Sequence, residues 1–367
     1  MSNPTVSVVM SVYNGERFLP ETVESVLNQT FCDFEFIIIN DGSADGTAEI
    51  LSRYQKNDPR IVVYHQENRG QAIASNKGCS LARGCYIART DADDVSLPER
   101  LERQVQYLEK NPHIAFVGSS VNIIDASGRQ LFMVLLPSDD KVIKQRMFEM
   151  HDSFIPNQSV LIRSEVFRAF HGYRANFVPA EDYDLWLRIA ERRQVSNLPE
   201  PLVNVRRRAH TLSSANLRLQ VISILAAWAA SLIRRSGGMD PISDETVVNR
   251  DLIRRLGVSD EVFEASLMGA YQDWIHVMIK GSDDAAALEL VQEALGSEPW
   301  KHIERPALAN IWLTAAGIHY RQGRPLNALA SMGRAILIRP LVAGRPLKRA
   351  VNSLFRRSRT GTGQARE

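Results

Sequence analysis

The chain is poor in cysteine, in net charge and in long apolar runs, and each shortage removes a class of protein. Cys32, Cys79 and Cys85 are its 3 cysteines among 367 residues. None forms a C-x-x-C pair, and an odd number argues against a disulfide framework. A reducing cytoplasm is therefore the expected location. The formal net charge is +2, too small for a strong basic field, so no nucleic-acid partner is expected. The longest apolar stretch, residues 221–233, is interrupted by Ser223 and Ser231 and falls short of the ~20 residues a spanning helix needs. It reads as a buried or interfacial helix. The first residues run straight into a strand pattern with no basic leader, so no signal peptide is expected. Glycine is scarce at one informative place. The segment Tyr13-Asn14-Gly15-Glu16-Arg17 after the first strand holds a single glycine, whereas a sugar-phosphate nucleotidyltransferase needs a glycine-rich phosphate loop there. That reading stays as a poor alternative.

What the chain does contain is a soluble globular composition, 44% hydrophobic and 23% charged, over a length that suggests two domains with appendages. Up to about residue 120, strand and helix patterns alternate, which predicts a Rossmann-like, mostly parallel α/β sheet. Strands are expected over 6–12, 34–39, 61–64 and 114–117, and helices over 18–28 and 71–82. Ser96-Leu97-Pro98-Glu99 reads as a capping box opening a helix that runs to Lys110. From 131 to 208 the pattern is mixed, with a helix over 182–193. Beyond Leu217 it is helical, broken at Gly237-Gly238 and near Gly281. Within this region, residues 309–340 resemble one tetratricopeptide unit or a generic helix pair, with Trp312, Ala328, Ala335 and Pro340 in place and Gly323 at the turn. The expected division is 1–216, 217–344 and a basic tail 345–367. The tail combines Arg345, Lys348, Arg349, Arg356, Arg357 and Arg359 with an apolar stripe of Leu347, Val351, Leu354 and Phe355. It is suited to peripheral contact with an anionic membrane, the alternative being a solvated tail.

Two acidic turns follow hydrophobic strands: Asn40-Asp41-Gly42-Ser43 and Asp91-Ala92-Asp93-Asp94. Carboxylates at the carboxyl ends of parallel strands lie where open α/β sheets bind ligands. Asp91 and Asp93, two apart, would point to one side of an extended segment. Together they offer hard oxygen ligands for Mg²⁺ or Mn²⁺ against a diphosphate. Three carboxylates crowded at a strand end would also repel one another without a cation.

Five segments occur in one order: Ser7-Val8-Val9-Met10-Ser11-Val12-Tyr13-Asn14-Gly15, Ser25-Val26-Leu27-Asn28-Gln29-Thr30-Phe31, Asn40-Asp41-Gly42-Ser43-Ala44-Asp45-Gly46-Thr47, Asn68-Arg69-Gly70 and Asp91-Ala92-Asp93-Asp94. Together with Glu181-Asp182-Tyr183-Asp184-Leu185-Trp186 and Arg208-Ala209-His210, they resemble the family 2 inverting glycosyltransferases over about Thr5 to Ser214. The resemblance implies the A-type glycosyltransferase fold followed by an all-helical C-terminal region. It also implies transfer of a sugar from a nucleotide-sugar, with a UDP-sugar suggested by Asp41, to a glycan or lipid-linked acceptor.

The resemblance assigns roles by position. Asp41 meets the base, where a carboxylate can accept from a uracil imide N–H; otherwise it caps its own turn. Ser11 and Tyr13 border the nucleotide, Tyr13 either stacking on the base or being a packed aromatic. Asp91 contacts the ribose and Asp93 ligates the metal. Asp182 is the general base, although acids also favour a helix's first turn for dipole reasons alone. His210 is a third metal ligand, a phosphate contact or a structural histidine. Asn157-Gln158 would line the acceptor side. Two departures stand out: Asn40 replaces a second aspartate, and none of the 5 tryptophans follows an arginine. No Q-x-x-R-W segment exists, so addition of one sugar per encounter is expected rather than processive synthesis. A non-catalytic helical scaffold is the remaining alternative, and an oligomer is left open.

Overall fold

The computed structural model describes residues 3–150, 155–209, 216–298 and 300–340. His210 and the tail from 345 lie outside the described residues. The chain divides into two compact units, one reaching Ser259 and the other starting at Asp260.

The first unit is built on one nine-stranded sheet. Its opening half alternates β1 (Val6–Val12), α1 (Leu19–Leu27), β2 (Phe34–Asp41), α2 (Thr47–Asn57), β3 (Ile61–Gln66), α3 (Gln71–Leu81) and β4 (Tyr86–Asp91). The four strands run parallel in the order β3-β2-β1-β4. Every residue of β2 is buried, as a strand covered by helices on both faces requires. Against it α3 buries only small groups: Ala72, Ala74, Ser75, Gly78 and Cys79. A Cβ at Gly78 would lie 2.5 Å from Val9 Cγ1, so the helix rests directly on the sheet.

The second half of the sheet is mixed. It adds β5 (Val95–Ser96), α4 (Arg100–Lys110), β6 (Ile114–Ile124), β7 (Gln130–Val134), α5 (Asp140–Phe148), β8 (Leu161–Arg163), α6 (Ser164–Ala169), α7 (Glu181–Ala190) and β9 (Gln194–Arg206). Strand β8 runs antiparallel between β4 and β6, β9 runs parallel to β6, and β5 pairs antiparallel with β9. The strand expected over 114–117 is thus much longer, and its partner β9 fills a region whose sequence pattern was mixed. Register shifts along the β6–β9 pair explain why: irregular pairing breaks the period of two on which strand patterns depend.

The expected capping box is not formed. Ser96 belongs to β5, its hydroxyl accepts from Arg100 Nη1 at 2.9 Å, and α4 starts at Arg100 with no side-chain cap on its N-terminus. Pairing of Val95 and Ser96 with Asn204 and Val203 outweighs the local cap.

Beyond β9 the described residues contain helices and no strand, as expected. The Leu217–Arg235 helix packs against α7 and α5, so the expected boundary after residue 216 falls inside the first unit. By length and composition this helix could cross a membrane, but 56% of its apolar stretch is buried inside the fold, as in a core helix. The second unit consists of the helices Asp260–Lys280, Asp284–Ser297, Arg305–Arg321 and Pro325–Ile338. The last two form the expected hairpin, turning at Gly323 with φ 70° and meeting through Ala309 and Ala335. Only glycine takes that backbone angle without strain. The hairpin packs on the helix before it, since one such pair cannot bury its own faces.

Candidate active site

The carboxyl ends of β1, β2 and β4 lie side by side. Val12 pairs with Asn40, and Ser11 pairs with Ile39 on one flank and Asp91 on the other. The loops above them are laced together. Asn14 N donates to Ser43 Oγ at 2.9 Å, Ala44 N donates to Asn14 Oδ1 at 2.8 Å, and Gly15 N donates to Thr47 Oγ1 at 2.9 Å. Ser11 Oγ lies 3.1 Å from Ser75 Oγ. Tyr13 is 54% exposed, which excludes the packed-aromatic alternative. Asp41 is 3% exposed and accepts from Gln66 Nε2 at 2.7 Å and from the backbone N–H of Arg69 and Gly70 at 2.9 Å each. It draws the Asn68-Arg69-Gly70 loop onto β2 instead of capping its own turn. Two carboxylate oxygens carry about four acceptor positions, so these three bonds leave room for a further donor.

The second acidic turn differs from the extended segment expected. Asp94 N donates to the Asp91 carbonyl at 3.3 Å, closing a turn, so the spacing of two does not by itself fix where Asp93 points. The three aspartates also meet cations of the chain itself. Asp94 is buried and accepts from Arg206 N at 2.7 Å. Asp91 faces the fully buried Arg89 at 3.4 Å, and Asp93 faces Arg208 at 3.3 Å. Arginines of the chain itself supply part of the compensating charge, so the crowding alone does not require a cation. Burial, reinforced by Asp93 and opposed by Arg89, still pushes the Asp91 carboxyl upward. Burial with Asp93 and Asp91 pushes Asp94 well upward.

Helix α7 brings the remaining carboxylates to this cluster. Burial raises Glu181 to about 8, with Asp182 adding to the rise. Asp182 is raised to about 6, chiefly by burial and further by Asp91, while its bond from Tyr183 N at 2.8 Å pulls the other way. Asp91 and Asp182, far apart in sequence, therefore share one electrostatic site, with Arg89 acting on both. Arg207 faces Asp94, Asp93, Asp91 and Asp182 together. Two carboxyls displaced to different degrees, one near neutrality, suit proton transfer.

Arg89 and Arg207 were missed by the sequence reading, which noted Arg208 only within the Arg208-Ala209-His210 segment. Arg89 sits at i−2 from Asp91 on the same strand, a spacing that does signal a shared face. It donates to Val9 O at 2.6 Å and lies over the Tyr173 ring at 6.0 Å. Tyr173 in turn donates to Asn157 Oδ1 at 2.8 Å, which holds one of the two residues expected on the acceptor side. Nothing local marks Arg207, which reaches the acids only through the long β9 strand. Among the described residues no three His, Cys, Asp or Glu side chains group to hold a metal. The donor set of Asp93 and Asp91 nonetheless fits Mg²⁺ or Mn²⁺, because such ions are commonly held by one or two carboxylates plus substrate phosphates.

The chain is similar to known proteins. A family model described as glycosyl transferase family 2 matches residues 7–171. The chain is 32% identical over 260 residues to the putative glycosyltransferase EpsE of Bacillus subtilis, spanning 69% of this chain and 90% of that one. It is 34% identical over 205 residues to the O-antigen biosynthesis glycosyltransferase WbnJ of Escherichia coli, spanning 55% and 79%. The S. aureus TarS structure in complex with UDP-GlcNAc matches with a TM-score of 0.50 at 16% identity over 90% of each chain, a likeness of fold.

Proposed function

The chain belongs to glycosyl transferase family 2, with the A-type fold, and from that premise we propose a metal-dependent inverting transferase that adds one sugar per encounter from a UDP-sugar. Membership in the family decides against the nucleotidyltransferase and scaffold readings. The acceptor is a hydroxyl of a cell-surface glycan or lipid-linked oligosaccharide, a reading supported by the relative named for O-antigen biosynthesis. The observation that carries the proposal is the meeting of the Asp91–Asp93 turn with Asp182 across Arg207.

In one displacement the acceptor oxygen bonds to the anomeric carbon as the bond from that carbon to the diphosphate oxygen breaks, inverting the centre. Asp182 takes the acceptor's proton. Asp93 would hold Mg²⁺ or Mn²⁺, which when bound neutralises charge on the departing diphosphate, and Asp91 beside it contacts the ribose. His210 is proposed as a further ligand or phosphate contact. Asp41, with Ser11 and Tyr13 beside it, receives the uracil ring. Asp41 keeps an acceptor position for the imide N–H, and Tyr13 is exposed to stack.

The direct test is hydrolysis of a nucleotide-sugar panel with Mn²⁺ or with chelator, alongside calorimetry of UDP and GDP. UDP release that depends on the metal and tighter binding of UDP are expected. Equal affinity in chelator would remove the metal, and preference for GDP would remove the base assignment. The proposed location is cytoplasmic, at the inner face of the membrane through the tail from 345. Full-length protein should sediment with anionic liposomes and a chain ending at 344 should not; equal partitioning would leave the tail solvated.

A further inference from the structure

Helix α7 carries Glu181 and Asp182 in its first turn, yet its N-terminus begins at Ala180 with no side-chain cap. A different set of contacts holds it. Asp184, fully buried, accepts from Arg174 Nε at 2.9 Å and from Arg188 Nε at 2.9 Å. Arg174 then reaches outward, donating to Asp240 Oδ2 at 3.1 Å and to Ile242 O at 3.0 Å. Asp240 also accepts from Arg234 Nη1 at 3.0 Å, and Arg234 donates to Glu191 at 2.9 and 2.6 Å. The chain of ion pairs thus leaves α7 at Asp184, crosses residues 234–242 and returns at Glu191, just past the last turn of the same helix. Three acids and three arginines balance, and each link is charge-assisted. Asn176 adds bonds to Ser243 O at 3.0 Å and Thr246 O at 2.9 Å.

We propose that residues 217–246 brace the helix bearing the catalytic base, with Asp240 as a positioning residue for Asp182. The proposal rests on the reading of Asp182 as the base. Asp240 is the link to cut because its side chain is 30% exposed, so its loss spares the core. Reactivity depends steeply on placement: an error of ~1 Å at a reacting group can cost ~100-fold in rate.

The experiment uses the full chain carrying Asp240→Asn, Arg234→Gln, both together, and Asp240→Glu. UDP release is measured with Mn²⁺ from the UDP-sugar that the native chain turns over fastest. UDP affinity is measured by calorimetry, and amide exchange is followed over α7. The expected result is a ~10- to 100-fold fall in kcat with donor KM and UDP affinity unchanged, and faster exchange at the α7 N-terminus. The double variant should be no worse than the poorer single one, because both break the same chain of links, and Asp240→Glu should recover most of the rate. A kcat within twofold of native in the two neutral single variants overturns the brace, as does a loss of kcat matched by a loss of UDP affinity. A native chain that neither binds UDP nor turns over any UDP-sugar would instead overturn the functional reading itself.

Discussion

A general base has to be ionised before the reaction and still gain from accepting a proton, which favours a carboxyl titrating near neutrality. Burial puts Asp182 at about 6, so transfer should rise with pH through that region. Asp182→Asn should remove the limb and lower transfer ~100- to 10,000-fold, with UDP affinity nearly intact. Asp93→Asn should weaken UDP binding and transfer together, since its oxygens are proposed to serve the metal rather than the proton. If Asp182→Asn keeps near-native turnover, the base is Glu181 instead, since Asp184 is fully buried between Arg174 and Arg188. The same shifts bear on stability. Glu181 rises from 4.5 to about 8 and Asp182 from 3.8 to about 6, so the folded chain binds protons that the unfolded chain releases. Their contribution favours folding below the lower values and is lost as pH rises through the window from about 4 to about 8. The thermal midpoint without metal should therefore fall between pH 5 and pH 8, and Glu181→Gln should flatten that fall. A native midpoint that rose over the same range would contradict the upward displacement of these two carboxyls.

At the scale of elements, legibility followed periodicity. The first four strands were readable because each carries a run of apolar residues between turns, and α1 because its apolar residues repeat on one face. Strand β9 was not, because its pairing with β6 slips register. The capping box misled because Ser96 had a sheet partner that no local pattern discloses. Within the site, the acids stood out in sequence since each ends a strand or opens a helix. Arg207 did not, because its role arises from tertiary folding alone. Helix α3 shows what a weak pattern can conceal: its buried face is made of small residues, chosen for closeness rather than hydrophobic bulk. Gly78→Ala should force the helix off Val9 and Ile39, costing ~1–3 kcal/mol as overpacking does. Denaturant unfolding measures this, and a cost below a few tenths of a kcal/mol would mean that α3 can slide on the sheet.

At the scale of the whole molecule, the switch from alternating strand and helix to helix alone suggested a boundary at 216, while the folded unit continues to Ser259. Composition changes where strands end; packing does not. The Leu217–Arg235 helix buries Leu217, Val221, Leu225, Ala226 and Ala230, and its Arg234 holds the nearly buried Glu191 at 2.6 Å. A chain ending at 216 would expose that apolar surface on α7 and strand Glu191 without its cation. Removing one partner of a buried pair alone costs ~3–5 kcal/mol, against a typical domain stability of ~5–15 kcal/mol. Residues 1–259 should therefore fold cooperatively and keep metal-dependent UDP-sugar hydrolysis, whereas residues 1–216 should be insoluble or lack a cooperative transition. Circular dichroism melts of the two fragments, with UDP release from each, decide the matter. A folded, active fragment ending at 216 would show that the helices after β9 contribute nothing to the catalytic unit, and the bracing of α7 would fall with them.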